Sequence, residues 1–136
     1  MFITPKTDWA RDDYFDIYPD YFRIKNNILE IKKMVEELYG SVDSLQIEDY
    51  GIKDNRFADF YNSIERNLDI LADAGFRNPA MKKTAVWENN KSAWDYNDLN
   101  RIEGSISMMY RDLMSQQKNQ RILAFILGGN DFEQTI

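Results

Sequence analysis

Apolar residues step along three stretches of the chain by alternating threes and fours, the spacing that puts one stripe on each helix. Tyr21, Ile24, Ile28, Ile31, Val35 and Leu38 form the first stripe. Phe57, Tyr61, Ile64, Leu68 and Leu71 form the second, and Leu99, Ile102, Ile106, Met109 and Leu113 the third. Stripes this narrow suit helices packed side by side. They predict helices at about residues 17–39, 54–74 and 96–117. Asp16, Asp54 and Asp95 stand where a short acceptor can satisfy free N–H groups at a helix start. Pro19 suits a first turn, and Gly40 and Gly75 lie just past two of the stripes, as helix-ending glycines do.

The texture changes between the second and third helices. Lys83-Thr84-Ala85-Val86-Trp87, the polar run Glu88-Asn89-Asn90-Lys91, and Ser92-Ala93-Trp94 predict a short β-hairpin at about 83–94. Arg121-Ile122-Leu123-Ala124-Phe125-Ile126-Leu127, closed by Gly128-Gly129, predicts a C-terminal β-strand at about 121–127, buried on both faces, with a helix as the alternative. The expected fold is therefore mostly α: a three-helix core with a short β-hairpin and a C-terminal β-strand, in a single domain spanning 1–136. One small domain most naturally covers one face of such a strand. The other face is then expected to meet a neighbouring subunit.

Composition narrows the chemistry. The 136 residues are 43% apolar and 29% charged, an ordinary globular balance. Twenty-three acids against 17 bases give a net charge of −6, and the densest basic cluster is the pair Lys82-Lys83. A phosphate backbone would meet net repulsion, so no nucleic-acid partner is expected. With no cysteine and no histidine, thiol nucleophiles, thiolate metal sites and imidazole bases are excluded. No apolar run approaches a membrane span and no signal peptide is read at the start, so no membrane partner is expected.

Carboxylates are what remains. Asp12-Asp13, Glu36-Glu37 and Asp95 with Asp98 are close pairs, but such pairs arise readily among 23 acids and read as solvated surface. Asp95-Tyr96-Asn97-Asp98 lacks the glycine and distal glutamate of a calcium loop, and Gly128-Gly129-Asn130-Asp131 lacks the Lys-Ser/Thr of a phosphate loop. No catalytic residue, metal ligand or cofactor is assigned.

The chain also repeats itself. A shift of 78 residues lays Trp9 on Trp87, Tyr18 on Tyr96, Asp20 on Asp98, Arg23 on Arg101, Ile24 on Ile102 and Ile28 on Ile106. The second helix echoes the unit faintly, in Phe60-Tyr61-Asn62-Ser63-Ile64-Glu65-Arg66-Asn67-Leu68. The unit is an aromatic lead-in, an acid in the first helical turn, an arginine three residues later, then the apolar stripe. Asp20 and Arg23, like Asp98 and Arg101, can pair across one turn. Each arginine can also reach the lead-in aromatics or a neighbouring subunit.

The string Asp98-Leu99-Asn100-Arg101-Ile102-Glu103, preceded by Trp87, resembles one found in phage tail, baseplate and tail-fibre proteins. Thr7-Asp8-Trp9, Asp13-Tyr14-Phe15 and Tyr21 to Ile28 are similar to the opening of small virion proteins of phages and prophages of Gram-positive hosts, and Leu123 to Gly129 to their ending. The first copy of the repeat departs from the pattern, with Phe22 in place of Asn100 and Lys25 in place of Glu103. The resemblance implies a non-enzymatic virion structural protein, made in the host cytoplasm and located in the particle. Its partners would be other virion proteins or itself, as a homo-oligomer within the assembly. Trp9, Arg23, Trp87, Trp94, Arg101, Leu123, Phe125 and Leu127 are the candidate interface residues. The alternatives are an acidic DNA mimic, which needs its acids arrayed on one face, and a small carboxylate-based cell-wall hydrolase.

Overall fold

Three helices carry the chain in the computed structural model, which describes residues 1–42, 45, 57–88 and 94–131. A wide turn at Ile17–Tyr21 leads into α1 (Phe22–Tyr39), followed by α2 (Phe57–Ala74) and α3 (Tyr96–Asp131). The three apolar stripes meet in one core: Ile24, Ile28, Ile64, Leu68, Ile102 and Ile106 are all buried in the same cluster. Each such side chain contributes about 1.5–3 kcal/mol of transfer energy.

The helix ends follow from their sequences. Gly40 closes α1 with φ of +100°, a left-handed value that suits a residue without Cβ, and donates its N–H to Glu36 O at 3.1 Å. At the start of α3 the Asp98 N–H donates to Asp95 Oδ1 at 2.9 Å, and the Asp95 N–H donates back to Asp98 Oδ2 at 3.0 Å. This reciprocal box satisfies two donors at once. Asp54, the expected cap of α2, lies outside the described residues.

All three helices run in the same direction. Arg23 meets Glu103 near the starts of α1 and α3, whereas Tyr39 meets Gln116 at the far end of α1. Glu65 of α2 meets Arg101 near the start of α3, and Gly75, just past α2, lies beside Val35 and Tyr39 near the end of α1. Parallel neighbours oblige the chain to travel back between helices, and among the described residues extended straps run along the bundle before α1 and between α2 and α3. The first, residues 1–16, lies over α1 and α3: Phe2 stacks on Tyr110 at 3.7 Å, and Trp9 has reached Asn100. The second, residues 76–88, lies over α2 and α3. Asn78 meets Asp112, Thr84 meets Asp69, and Trp87 has reached Asn62.

Two expected elements are corrected: no strand occurs among the described residues. The predicted hairpin at 83–94 has residues 89–93, most of its turn and second arm, outside the described residues, and its first arm, 83–87, is irregular strap. The reason is the partner the backbone finds. The Trp87 N–H donates to Asn62 Oδ1 at 2.7 Å and its carbonyl accepts from Asn62 Nδ2 at 2.8 Å, so a side-chain amide stands where a second strand would. The predicted strand at 121–127 is instead the continuation of α3, which runs through Gly128 and Gly129 to Asp131. A strand there would need a neighbour for its backbone groups, whereas a helix satisfies them locally. The preceding Gln116-Gln117-Lys118-Asn119-Gln120-Arg121 feeds the helix forward.

Candidate interaction surface

Each helix carries an asparagine and a glutamate three residues apart: Asn27 and Glu30, Asn62 and Glu65, Asn100 and Glu103. Each asparagine grips one strap residue by both backbone groups. Asn27 holds Ile3 at 2.8 and 2.7 Å, Asn62 holds Trp87, and Asn100 holds Trp9 at 2.8 and 3.0 Å. Each glutamate gathers cationic or indole donors. Glu103, with 0% exposure, accepts from Arg23 Nε at 2.6 Å, Arg23 Nη2 at 2.7 Å, Trp9 Nε1 at 2.7 Å and the Lys6 N–H at 3.1 Å. Glu65 accepts from both terminal nitrogens of Arg101 at 2.6 Å and from Trp87 Nε1 at 2.8 Å. Glu30 takes the Met1 ammonium at 2.9 Å and Lys33 at 3.5 Å.

The internal repeat thereby acquires a physical meaning. Trp9 and Arg23 converge on Glu103, as Trp87 and Arg101 converge on Glu65, so one clamp joins α1 to α3 and its copy joins α3 to α2. The acid of each repeat supports its arginine, Asp20 at 3.1 Å from Arg23 and Asp98 at 3.6 Å from Arg101. The glutamate pairing raises both guanidinium pKa values. At the start of α1, Phe22 and Lys25 stand in the positions of Asn100 and Glu103, so the third copy of the acceptor pair is missing in that register.

Four of the eight candidate interface residues are therefore engaged within the chain. Trp9 and Arg23 are buried, and Trp87 and Arg101 are partly so. Trp94 is half-buried in an aromatic cluster, 4.3 Å from Tyr61 and 6.2 Å from Phe15 between ring centroids. The pattern that sequence reasoning missed is the Asn/Glu pair. Both Asn62-Ser63-Ile64-Glu65 and Asn100-Arg101-Ile102-Glu103 display it in plain sight, and its i, i+3 spacing puts both acceptors on one helix face.

The remaining three, Leu123, Phe125 and Leu127, lie together on the free end of α3. That helix has 36 residues against 18 in each neighbour, about 54 Å against 27 Å. Where α1 ends, Tyr39 and Glu37 contact Gln116 and Gln117, and among the described residues α3 continues alone. Ile122, Leu123, Phe125, Ile126 and Leu127 are exposed there, Phe125 at 80%. Consecutive apolar residues on a helix point all round it, so the end presents hydrocarbon on every side. A groove at its foot is lined by Glu37, Leu38, Gln117, Gln120, Arg121 and Ala124.

Among the described residues no group of three or more histidine, cysteine, aspartate or glutamate side chains could hold a metal ion, and no helix is long and apolar enough to cross a membrane. Comparison of the chain with protein-family models, with curated proteins and with solved structures gives no match in any of the three.

Proposed function

We propose that the chain is a non-enzymatic structural protein of a phage virion, from the tail, baseplate or fibre region, and that it assembles through the free end of α3. The observation that carries the assembly reading is the exposed run Ile122–Leu127, whose composition belongs in an interior. Apolar surface of this kind marks association sites. The virion setting is supported by the resemblance of the strings around Trp9 and Asp98–Glu103 to those of small virion proteins. It agrees with what those strings do here: they fasten straps and helices together.

Mass spectrometry of purified particles tests the proposal. The chain is expected in the particles at a fixed ratio to a known tail protein, and its absence overturns the virion setting. Turnover is a separate test. Pure protein incubated with peptidoglycan or polysaccharide is expected to release no product. Hydrolysis lost in a single Asp or Glu variant would mean that the chain is an enzyme.

A further inference from the structure

The apolar stripes of the three helices repeat every seven residues, as Tyr21, Ile28 and Val35 do in α1 and Leu99, Ile106 and Leu113 do in α3. That is the period of helices wound about one another. The clamp residues fix how the helices stand in register. Arg23 corresponds to Arg101, an offset of 78 residues, and Asn62 and Glu65 correspond to Asn100 and Glu103, an offset of 38. A single axis relating all three helices requires the difference, 40, between α1 and α2. The structure has that offset. Gly75 stands beside Val35, where a Cβ on the glycine would lie 3.4 Å from Val35 Cγ2. The same offsets put Ile24, Ile64 and Ile102 on one level of the core, and Ile28, Leu68 and Ile106 on the next, each at most 1% exposed.

The clamps step round that axis in one sense. Trp9 and Arg23, before and on α1, go to Glu103 of α3, and Trp87 and Arg101, before and on α3, go to Glu65 of α2. One further step runs from α2 to α1. There the donor position of α2, level with Arg23 and Arg101, is Ser63, and the acceptor position of α1, level with Glu65 and Glu103, is Lys25. Ser63 is buried, like its counterpart Arg23. We infer that the bundle is a trimer in one polypeptide: one helical unit used three times about a three-fold axis, with a third clamp site between α2 and α1 whose residues have been exchanged. The exchange is concerted. The guanidinium is gone from one side of the seam and the carboxylate from the other, so neither charge is left buried without its partner. The site belongs to the bundle itself and does not depend on the virion setting.

Restoring the clamp in the full chain tests the site. Lys25→Glu with Ser63→Arg is expected to be about tenfold more stable, in its unfolding equilibrium constant, than the two single variants predict when their effects are added. Each single variant should melt below the parent chain, because it places one clamp charge at the seam without the other. Ser63→Arg with Leu29→Glu sets the carboxylate one turn further along the exposed side of α1, and its coupling should stay below about twofold. A second measurement needs no buried substitution. Lys33, Asp73 and Arg111 stand on one level of the three helices, and all are exposed. Because the chain has no cysteine, any two of them replaced by cysteine carry a pair of nitroxide labels. The three label distances should be equal within the width of the labels. Purely additive variants, a double variant that does not fold, or one label distance well outside the other two overturns the inference. Coupling of the expected size together with three equal distances supports it.

Discussion

Glu103 gathers donors from Arg23, Trp9 and Lys6, and it does so without contact with water. Its replacement therefore tests the clamp directly. Glu103→Gln leaves the largely buried Arg23 guanidinium to Asp20, 3.1 Å away, in place of its bidentate partner, which should cost about 3 kcal/mol in denaturant unfolding. Adding Arg23→Met and Asp20→Asn to Glu103→Leu should recover part of that loss, because the guanidinium and both of its carboxylates are then removed together. Trp87→Phe is milder: it removes one donor from Glu65 while Arg101 keeps both its bonds, so a loss of about 1 kcal/mol is expected. Ile102, fully buried between the clamps, should cost about 2–4 kcal/mol as Ile102→Ala, through lost transfer energy and the cavity left behind. A loss below about 1 kcal/mol on thermal melting would mean that its surroundings collapse around the gap.

At the scale of elements, α3 separates into a packed half and a free half. Stopping the chain after Lys118 should leave circular dichroism and the melting transition of the bundle nearly unchanged while self-association disappears from light scattering. Loss of folding on truncation would mean that the bundle depends on the free half. The cap of α3 has its own signature. The Asp98 N–H donating to Asp95 holds the Asp95 carboxyl below its ordinary value of 3.8, while burial pushes Asp98 upward. A lowered folded-state pKa stabilises above the ordinary value and loses that contribution as pH falls through the folded value. The melting-temperature deficit of Asp95→Ala should accordingly be present at pH 7 and shrink on acidification below about 3.8. The raised Asp98 acts with the opposite sign, stabilising at low pH and losing that contribution as pH rises through its folded value. Three helices were legible from the stripes alone, because the three-four spacing reports a buried face directly. The C-terminal strand and the first hairpin arm were misread for separate reasons. Short apolar runs such as Ile122–Leu127 do not distinguish a covered strand from a bare helix, and nothing near Trp87 announces that an asparagine will take the place of a strand neighbour.

At the scale of the whole molecule, two straps and two clamps reproduce the 78-residue repeat in space. The repeat was visible in six identities, but its partners were not, because a pairwise alignment shows donors without their acceptors. Glu65 and Glu103 lie outside those matched positions. Seen whole, the bundle is fastened mostly by links between distant parts of the chain. Asn27 to Ile3 spans 24 residues, Arg23 to Glu103 spans 80 and Lys6 to Glu103 spans 97. Removing residues 1–9 should therefore act far from the cut, loosening α3 beside Glu103. Amide exchange there should rise by at least tenfold while the Glu65 clamp stays protected.

The parallel course of the helices has a consequence for how the chain is made. On the ribosome, Trp9 and Arg23 emerge long before Glu103, and no earlier residue of the repeat offers them the same acceptor. Ile3 finds Asn27 early, but the Lys6–Trp9 end of the first strap must wait, unfastened, until Asn100 and Glu103 have been synthesised. An up-and-down bundle with short loops can zip together from its first two helices, whereas this one closes from both ends at once and should fold more slowly than its helix content suggests. Synthesis halted just before Glu103 should leave a nascent chain whose residues 6–20 are open to protease. Extending the halted chain by the remainder of α3, clear of the exit tunnel, should make them resistant.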